Sequence, residues 1–159
     1  MLGYMGNALG TGIDLALALR HRKVIVIESD GSLLLALFNL PTLVNLNPSN
    51  LVVFVFDNEA YSGSRINHPS ATAVKSDLAA LAKTSRIDHA PTVRNIEFFR
   101  KESQEALKTS GVRFIVSKVE ETIEHCRAER SDMDPLENKH RFERYLERTE
   151  GRKIFFGQG

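Results

Sequence analysis

Two near-continuous apolar runs stand out along the chain, at residues 24–27 (VIVI) and 51–56 (LVVFVF), each rich in β-branched or aromatic side chains. That pattern predicts strands buried on both faces of a parallel sheet. Between them, Leu33, Leu34, Leu35, Leu37, Phe38 and Leu40 describe a helix with little polar face, which implies burial between the sheet and another subunit or domain. Pro41 has no backbone N–H to donate and should kink that helix or end it early. Residues 23–61 thus form one βαβ unit. Both apolar runs end in polar residues, Asp30-Gly31-Ser32 after the first and Asp57-Asn58-Glu59 after the second. The crossover brings these turns to one carboxyl edge, where open α/β sheets bind ligands.

The remaining pattern extends this unit. Residues 7–20 read as a helix carrying Ile13, Leu15, Leu17 and Leu19 and ending in basic residues that suit a helix C-terminus. Residues 62–75 are polar without clear periodicity and are expected to form a loop that closes over a ligand, with Arg65 and His68 as candidate contacts to an anionic substrate. A helix over 77–84 capped by Asp77, a short strand at 90–93, a helix over 95–110 closed by Gly111 and a buried strand at 112–119 follow. The expected fold class is three-layer α/β/α, doubly wound, with a mainly parallel sheet. After residue 122 the composition becomes densely charged. An exposed linker and an amphipathic helix from Pro135, with Phe142, Tyr145 and Leu146 as its buried stripe, are expected there. The expected organisation is one domain at residues 1–122, with the linker and helix of 123–159 packing on it.

The two turns carry the candidate chemistry. Asp30 offers a carboxylate and Asn58 a side-chain carbonyl, hard oxygen donors suited to magnesium or calcium. Ser32 opens a helix whose hydroxyl and free N–H groups suit phosphate oxygens, and Gly31 lets a ligand approach the backbone. Together they imply a metal–diphosphate ligand, although singly each is better explained as a helix cap or a turn. Other chemistries fit less well. Glycines 3, 6, 10 and 12 do not follow a strand, as a dinucleotide fingerprint requires. His125 and Cys126 are adjacent and do not face each other on a helix. No zinc spacing, Gly-x-Ser-x-Gly elbow or Walker loop occurs.

Ser29-Asp30-Gly31-Ser32, followed a little under thirty residues later by Asp57-Asn58-Glu59-Ala60-Tyr61, resembles the diphosphate-binding domain of thiamine diphosphate enzymes, whose hallmark is Gly-Asp-Gly and then Asn-Asn or Asp-Asn at that distance. The resemblance implies the thiamin diphosphate-binding fold. It implies Asp30, Asn58 and the Ala60 carbonyl as Mg2+ ligands, and Gly31, Ser32 and Tyr61 beside them around thiamine diphosphate. Ser29 stands where the family has its first glycine; its Cβ would crowd the turn at positive φ, and a negative φ is expected. Gly3-Tyr4-Met5-Gly6 is similar to the family's Gly-Ser-Met-Gly, which implies that the Gly3 carbonyl meets the aminopyrimidine and that Met5 wedges the cofactor into its bent form. Residues 77–87, 112–120 and 134–147 are similar to a subgroup that decarboxylates sulfopyruvate and phosphonopyruvate. By resemblance, this is a subunit of a 2-oxo acid decarboxylase whose activating glutamate lies on a pyrimidine-domain (alpha) partner, so no catalytic residue of that kind is expected here. An oligomer is expected. Domains of the family carry a further segment before the glycine turn, so a front truncation or a late start codon is also expected.

Composition narrows the alternatives. With 159 residues, 42% apolar and 26% charged content and a formal net charge of +1, the chain gives no electrostatic reason to invoke nucleic acid or a membrane surface. Cys126 is the single cysteine, no run is long enough for a membrane span, and no basic region with a hydrophobic signal core opens the chain, so the cytoplasm is the expected compartment. An acetolactate synthase-like carboligase subunit and a cofactor-losing regulatory relative remain as alternatives. So does a phospho-acceptor signalling domain, since Asp30, Asp57 and Lys118 all fall at strand ends, although receivers keep paired acids on the first strand and a longer gap to the acceptor.

Overall fold

The computed structural model describes residues 5–61, 68–120, 134–151 and 153. The chain divides into two compact units, Met1–Glu121 and Thr122–Gly159. The first is built on a parallel four-stranded sheet. Its strands are β1 (Val24–Ser29), β2 (Leu51–Asp57), β5 (Thr92–Val93) and β6 (Arg113–Lys118), in the order β1-β2-β6-β5. Helices α1 (Asn7–Ala18), α2 (Asp30–Leu34), α3 (Asn39–Leu46), α4 (Leu78–Thr84) and α5 (Ile96–Lys108) surround it. A two-residue antiparallel ribbon of β3 (Ala60–Tyr61) and β4 (His68–Pro69) and a 3-10 turn at Ala71–Ala73 follow β2.

Alternation along the strands separates two cores. Val53 and Val55 point into a cluster with Leu9, Ile13 and Ala16 of α1, Leu40 and Leu43 of α3, and Leu78 and Ala82 of α4. Val52 and Phe54 point the other way, with Ile115 of β6 and Ala106 of α5, and Phe99 packs its ring 5.6 Å from that of Phe54. This is the expected three-layer α/β/α arrangement. β2 and the middle of β6 are buried on both faces as predicted. β1 is not: it is an edge strand, and Ile25 and Ile27 are 49% and 68% exposed on the face that α5 leaves uncovered.

The apolar segment after β1 is two helices, not one. α2 ends at Leu34, and Pro41 occupies the first turn of α3, where a missing N–H costs nothing because the first N–H groups of a helix have no intrahelical partner. Leu33 and Leu40 are buried, whereas Leu35 and Phe38 between the helices are exposed at 59% and 69%. α1 stops at Ala18, short of the expected basic end. Asn50 accounts for this: its side-chain amide nitrogen lies 3.1, 3.0 and 2.6 Å from the carbonyls of Ala16, Leu19 and Arg22, satisfying orphan carbonyls while the chain turns into β1. Asp77 caps α4 as the sequence suggests, and Asn95, expected as the first helical residue, instead caps α5. In the second unit α6 (Pro135–Glu150) starts on an Asp134 cap and ends at Gly151, φ 64°. Of the expected stripe only Leu146 is buried; Phe142 and Tyr145 stay nearly half exposed.

Gly12 sets how closely α1 approaches the sheet, because a Cβ there would lie 2.1 Å from Val26 Cγ2. Gly12→Ala should therefore destabilise the protein by about 1–3 kcal/mol through overpacking. Gly10→Ala, whose new Cβ would meet Asn39 at 3.6 Å, should instead gain up to about 1 kcal/mol of helix propensity. Urea unfolding of both variants checks this; equal midpoints would contradict the close approach.

Candidate functional site

The register of the parallel strands assembles the site. Ser29 lies opposite Phe56, and Asp57 opposite Lys118, so the polar residues that end β1, β2 and β6 emerge at one edge. Asp30, the first residue of α2, is fully buried. Its Oδ2 accepts hydrogen bonds from the hydroxyls of Ser70 (2.5 Å) and Thr72 (3.1 Å). Its Oδ1 is buried with no partner. Thr72 Oγ1 also lies 2.7 Å from Asp57 Oδ1, and the other oxygen of Asp57 pairs with Lys118 Nζ at 2.8 Å. Lys118 reaches Glu59 at the same distance. Burial disfavours its ammonium, but the bonds and charges of Asp57 and Glu59 outweigh that and hold its pKa above the ordinary 10.5.

The other expected site residues take up positions around this core. Ser29 has φ −102°, so glycine is not required, and its hydroxyl accepts the Ser32 N–H at 3.3 Å as the cap of α2. Ser32 Oγ accepts the N–H of Gly6 at 2.8 Å, which fixes the turn containing Met5 against α2 and leaves the Ser32 hydroxyl proton free for a phosphate oxygen. Gly6 itself needs to be glycine, with φ 85° and Ala36 Cβ 3.1 Å from any added Cβ. Gly31 lies flat beneath Tyr61, whose ring carbons would be 2.5 Å from a Cβ there. Asp57 Oδ1 accepts Glu59 N–H and Asn58 Oδ1 accepts Ala60 N–H, a turn in which Glu59 has φ 63°. Gly3 and Arg65 lie outside the described residues, as do His125 and Cys126. His68 is exposed in β4.

Two residues of the site are absent from the sequence reading. Ser70 and Thr72 belong to the polar stretch expected to close over a ligand, yet both are buried beneath the carboxylates. The Ser-x-Thr spacing at a strand end was the available signal: Ser70 caps the 3-10 turn, Thr72 N–H donating to Ser70 Oγ, and this turns both hydroxyls inward. The convergence of Asp57 with Lys118 that suggested a phospho-acceptor does occur, but Asp57 is 1% exposed and pinned by Lys118 and Thr72, so no phospho-donor reaches it. Beside the Asn58–Ala60 turn opens a 590 Å³ cavity also lined by Arg94, Lys118 and Glu120.

A hard cation fits this chemistry. Among the described residues, the buried Oδ1 of Asp30 has no hydrogen-bond partner and is a charged oxygen that a cation would satisfy, with the Asn58 and Ala60 oxygens in the neighbouring turn. Among the described residues no three His, Cys, Asp or Glu side chains converge on a metal position. Magnesium does not require that, since it is held by one or two carboxylates together with phosphate oxygens and water.

A family model described as thiamine pyrophosphate enzyme, C-terminal TPP binding domain, matches residues 1–117. The chain is 36% identical over 149 residues to sulfopyruvate decarboxylase subunit beta of Methanocaldococcus jannaschii, covering 94% of this chain and 77% of the relative. It is 36% identical over 92 residues to phosphonopyruvate decarboxylase of Streptomyces viridochromogenes, covering 58% of this chain but only 23% of that protein. Among solved structures, benzoylformate decarboxylase from Polynucleobacter necessarius superposes with a TM-score of 0.57 at 20% identity, over 74% of this chain and 23% of that one. That likeness shows the fold.

Two outcomes are expected. Asp30→Asn should abolish magnesium-dependent binding of thiamine diphosphate in a calorimetric titration, while the ligand-free variant melts no lower than the parent, because a neutral amide replaces a buried charge that lacks a counter-ion of its own. Retained binding would remove Asp30 from the site. Lys118→Met should cost about 3 kcal/mol by leaving Asp57 buried without its counter-ion. Since the folded pKa of Lys118 lies above its unfolded value, this stabilisation is fully present below pH 10.5 and is lost as pH rises through the folded pKa. The two proteins' denaturation midpoints should therefore differ at neutral pH and converge only in strong alkali.

Proposed function

Because the chain belongs to the thiamine pyrophosphate enzymes as a C-terminal TPP-binding domain, we propose that it is the thiamine diphosphate- and magnesium-binding subunit of a 2-oxo acid decarboxylase acting on sulfopyruvate or phosphonopyruvate. The observation that carries the site is the buried Asp30 carboxylate with one oxygen bare, at a sheet edge where Ser32 and the Asn58–Ala60 turn also present oxygens. In this reading Asp30, Asn58 and the Ala60 carbonyl hold the cation. Gly31 and Ser32 receive the diphosphate, Gly3 and Met5 contact the rest of the cofactor, and Tyr61 packs over the cradle. When bound, thiamine diphosphate supplies the electron sink that decarboxylation of a 2-oxo acid needs. The names of the relatives support the substrate class. A carboligase of the acetolactate synthase kind has no observation that favours it.

The same reading requires a second subunit. Met5 in the turn that Ser32 holds through Gly6, and Leu35 and Phe38 in the break that follows α2, are exposed apolar side chains on the segments that flank Asp30 and Ser32. Such a flank suits a partner that completes the pocket. The relative from M. jannaschii is named a beta subunit, which supports an alpha partner bearing the pyrimidine domain and its activating glutamate.

The test is carbon dioxide release from pyruvate, sulfopyruvate and phosphonopyruvate, with magnesium and thiamine diphosphate present. The chain alone should show no turnover. Addition of a pyrimidine-domain subunit should restore it, with the sulfonate or phosphonate substrate preferred over pyruvate. Substantial turnover by the chain alone would refute the two-subunit reading, and preference for pyruvate would refute the substrate class.

A further inference from the structure

The hydrogen bonds to Asp30 are one-sided. Both hydroxyls that reach it, Ser70 Oγ at 2.5 Å and Thr72 Oγ1 at 3.1 Å, bond to Oδ2, and Oδ1 has none. The two hydroxyls also touch each other at 2.7 Å, and Thr72 lies at the same distance from Asp57 Oδ1. Ser70 and Thr72 are 3% and 6% exposed, so water does not substitute freely for them. We propose that Ser70 and Thr72 are positioning residues for the cation, a hydroxyl clamp that holds one oxygen of Asp30 and turns the other into the site. This rests on the reading of Asp30 as a metal ligand.

The reason such a clamp is needed is torsional. The terminal χ2 of aspartate is a broad torsion, so packing alone does not fix how the carboxylate plane is turned towards the edge. Magnesium demands near-octahedral geometry at short distance, whereas calcium accepts longer and more irregular coordination. A carboxylate free to rotate serves calcium nearly as well as a fixed one and serves magnesium worse. Partners of ligating carboxylates typically change metal affinity by about 10- to 100-fold when removed.

Proton counting divides the roles of the two hydroxyls. Each hydroxyl has one proton to donate. Ser70 gives its proton to Asp30 across the shorter bond. Thr72 faces two carboxylates with one proton, and the 2.7 Å contact to Asp57 competes with the 3.1 Å contact to Asp30. Thr72 thereby bridges Asp30 to Asp57, whose other oxygen is already held by Lys118. The clamp and the Asp57–Lys118 pair thus form one connected unit beneath the site.

The experiment titrates magnesium, and separately calcium, into the full chain at a fixed concentration of thiamine diphosphate and reads cofactor binding by calorimetry. Melting of each ligand-free variant is recorded in parallel. Thr72→Val keeps the shape and removes the hydroxyl; it should raise the magnesium concentration for half-maximal binding by about 10- to 100-fold while the calcium value moves much less. Thr72→Ser should return the magnesium value to within about threefold of the parent, since it keeps the hydroxyl. Ser70→Ala should act in the same direction, and it carries the test if Thr72→Val melts below the titration temperature. Parent-like magnesium dependence in the hydroxyl-deleted variants overturns the clamp, as does a Thr72→Ser protein that fails as badly as Thr72→Val, which would make the role one of packing. If the parent chain itself binds thiamine diphosphate independently of any divalent cation, the metal reading of Asp30 falls and the clamp with it. A parent that does require magnesium separates the two results.

Discussion

The parallel register of β1, β2 and β6 is the constraint on which the site depends. Because Ser29 sits opposite Phe56 and Asp57 opposite Lys118, three strands end together and their first polar residues meet at one edge. A slip of one residue would exchange the faces of β2, sending Val53 and Val55 into the core that receives Val52 and Phe54. Both cores resist that exchange, since one is lined by small and branched residues of α1 and α4 and the other by the aromatic pair Phe54–Phe99. The placement of the ligand edge is therefore enforced by apolar packing some distance from it.

At that edge the fold buries two carboxylates and treats them differently. Asp57 has an ammonium, a hydroxyl and the Glu59 N–H, the compensation a buried charge ordinarily needs. Asp30 has hydroxyls on one oxygen and nothing on the other. The satisfied half of the network supports the unsatisfied half through Thr72. A domain selected only for stability would not keep the second carboxylate, because a buried group left without a partner costs stability that a neutral residue would recover. Its retention is in keeping with the proposed cation site, in a chain that belongs to the thiamine pyrophosphate enzymes.

Much of this was legible in the sequence, for identifiable reasons. The strands, the carboxyl edge and the cap at Asp77 follow from periodicity and local hydrogen-bonding preferences, which act over a few residues. The negative φ of Ser29 was legible as well, since a serine at a turn already argues against a left-handed position. What escaped depends on long-range partners. Ser70 and Thr72 read as ordinary loop residues because the carboxylate they serve lies some forty positions earlier. The end of α1 was misplaced because Asn50, far along the chain, supplies the carbonyl contacts that stop it. The exposed face of β1 was misjudged because VIVI reads the same in an edge strand as in a central one.

That exposed face follows from simple dimensions. Neighbouring strands lie about 4.8 Å apart and a helix is about 10–12 Å wide with its side chains, so one helix covers little more than two strands. On the face of Val53 and Val55, α1, α3 and α4 all contribute to the core and the sheet is covered. On the face of Val52 and Phe54, among the described residues, the core draws on α5 alone of the helices, centred on β2, β6 and β5. β1 is then the strand left over, and Ile25 and Ile27 are its outward residues on that face. Leu35 and Phe38 are exposed for a different reason. They stand in the break between α2 and α3, and Leu35 Cβ lies 3.6 Å from where a Cβ on Gly6 would sit. One apolar area is thus a consequence of how many helices a layer contains, and the other is placed by the residues that build the site. Only the second adjoins the helix that carries Asp30 and Ser32, which is why the proposed partner is placed there.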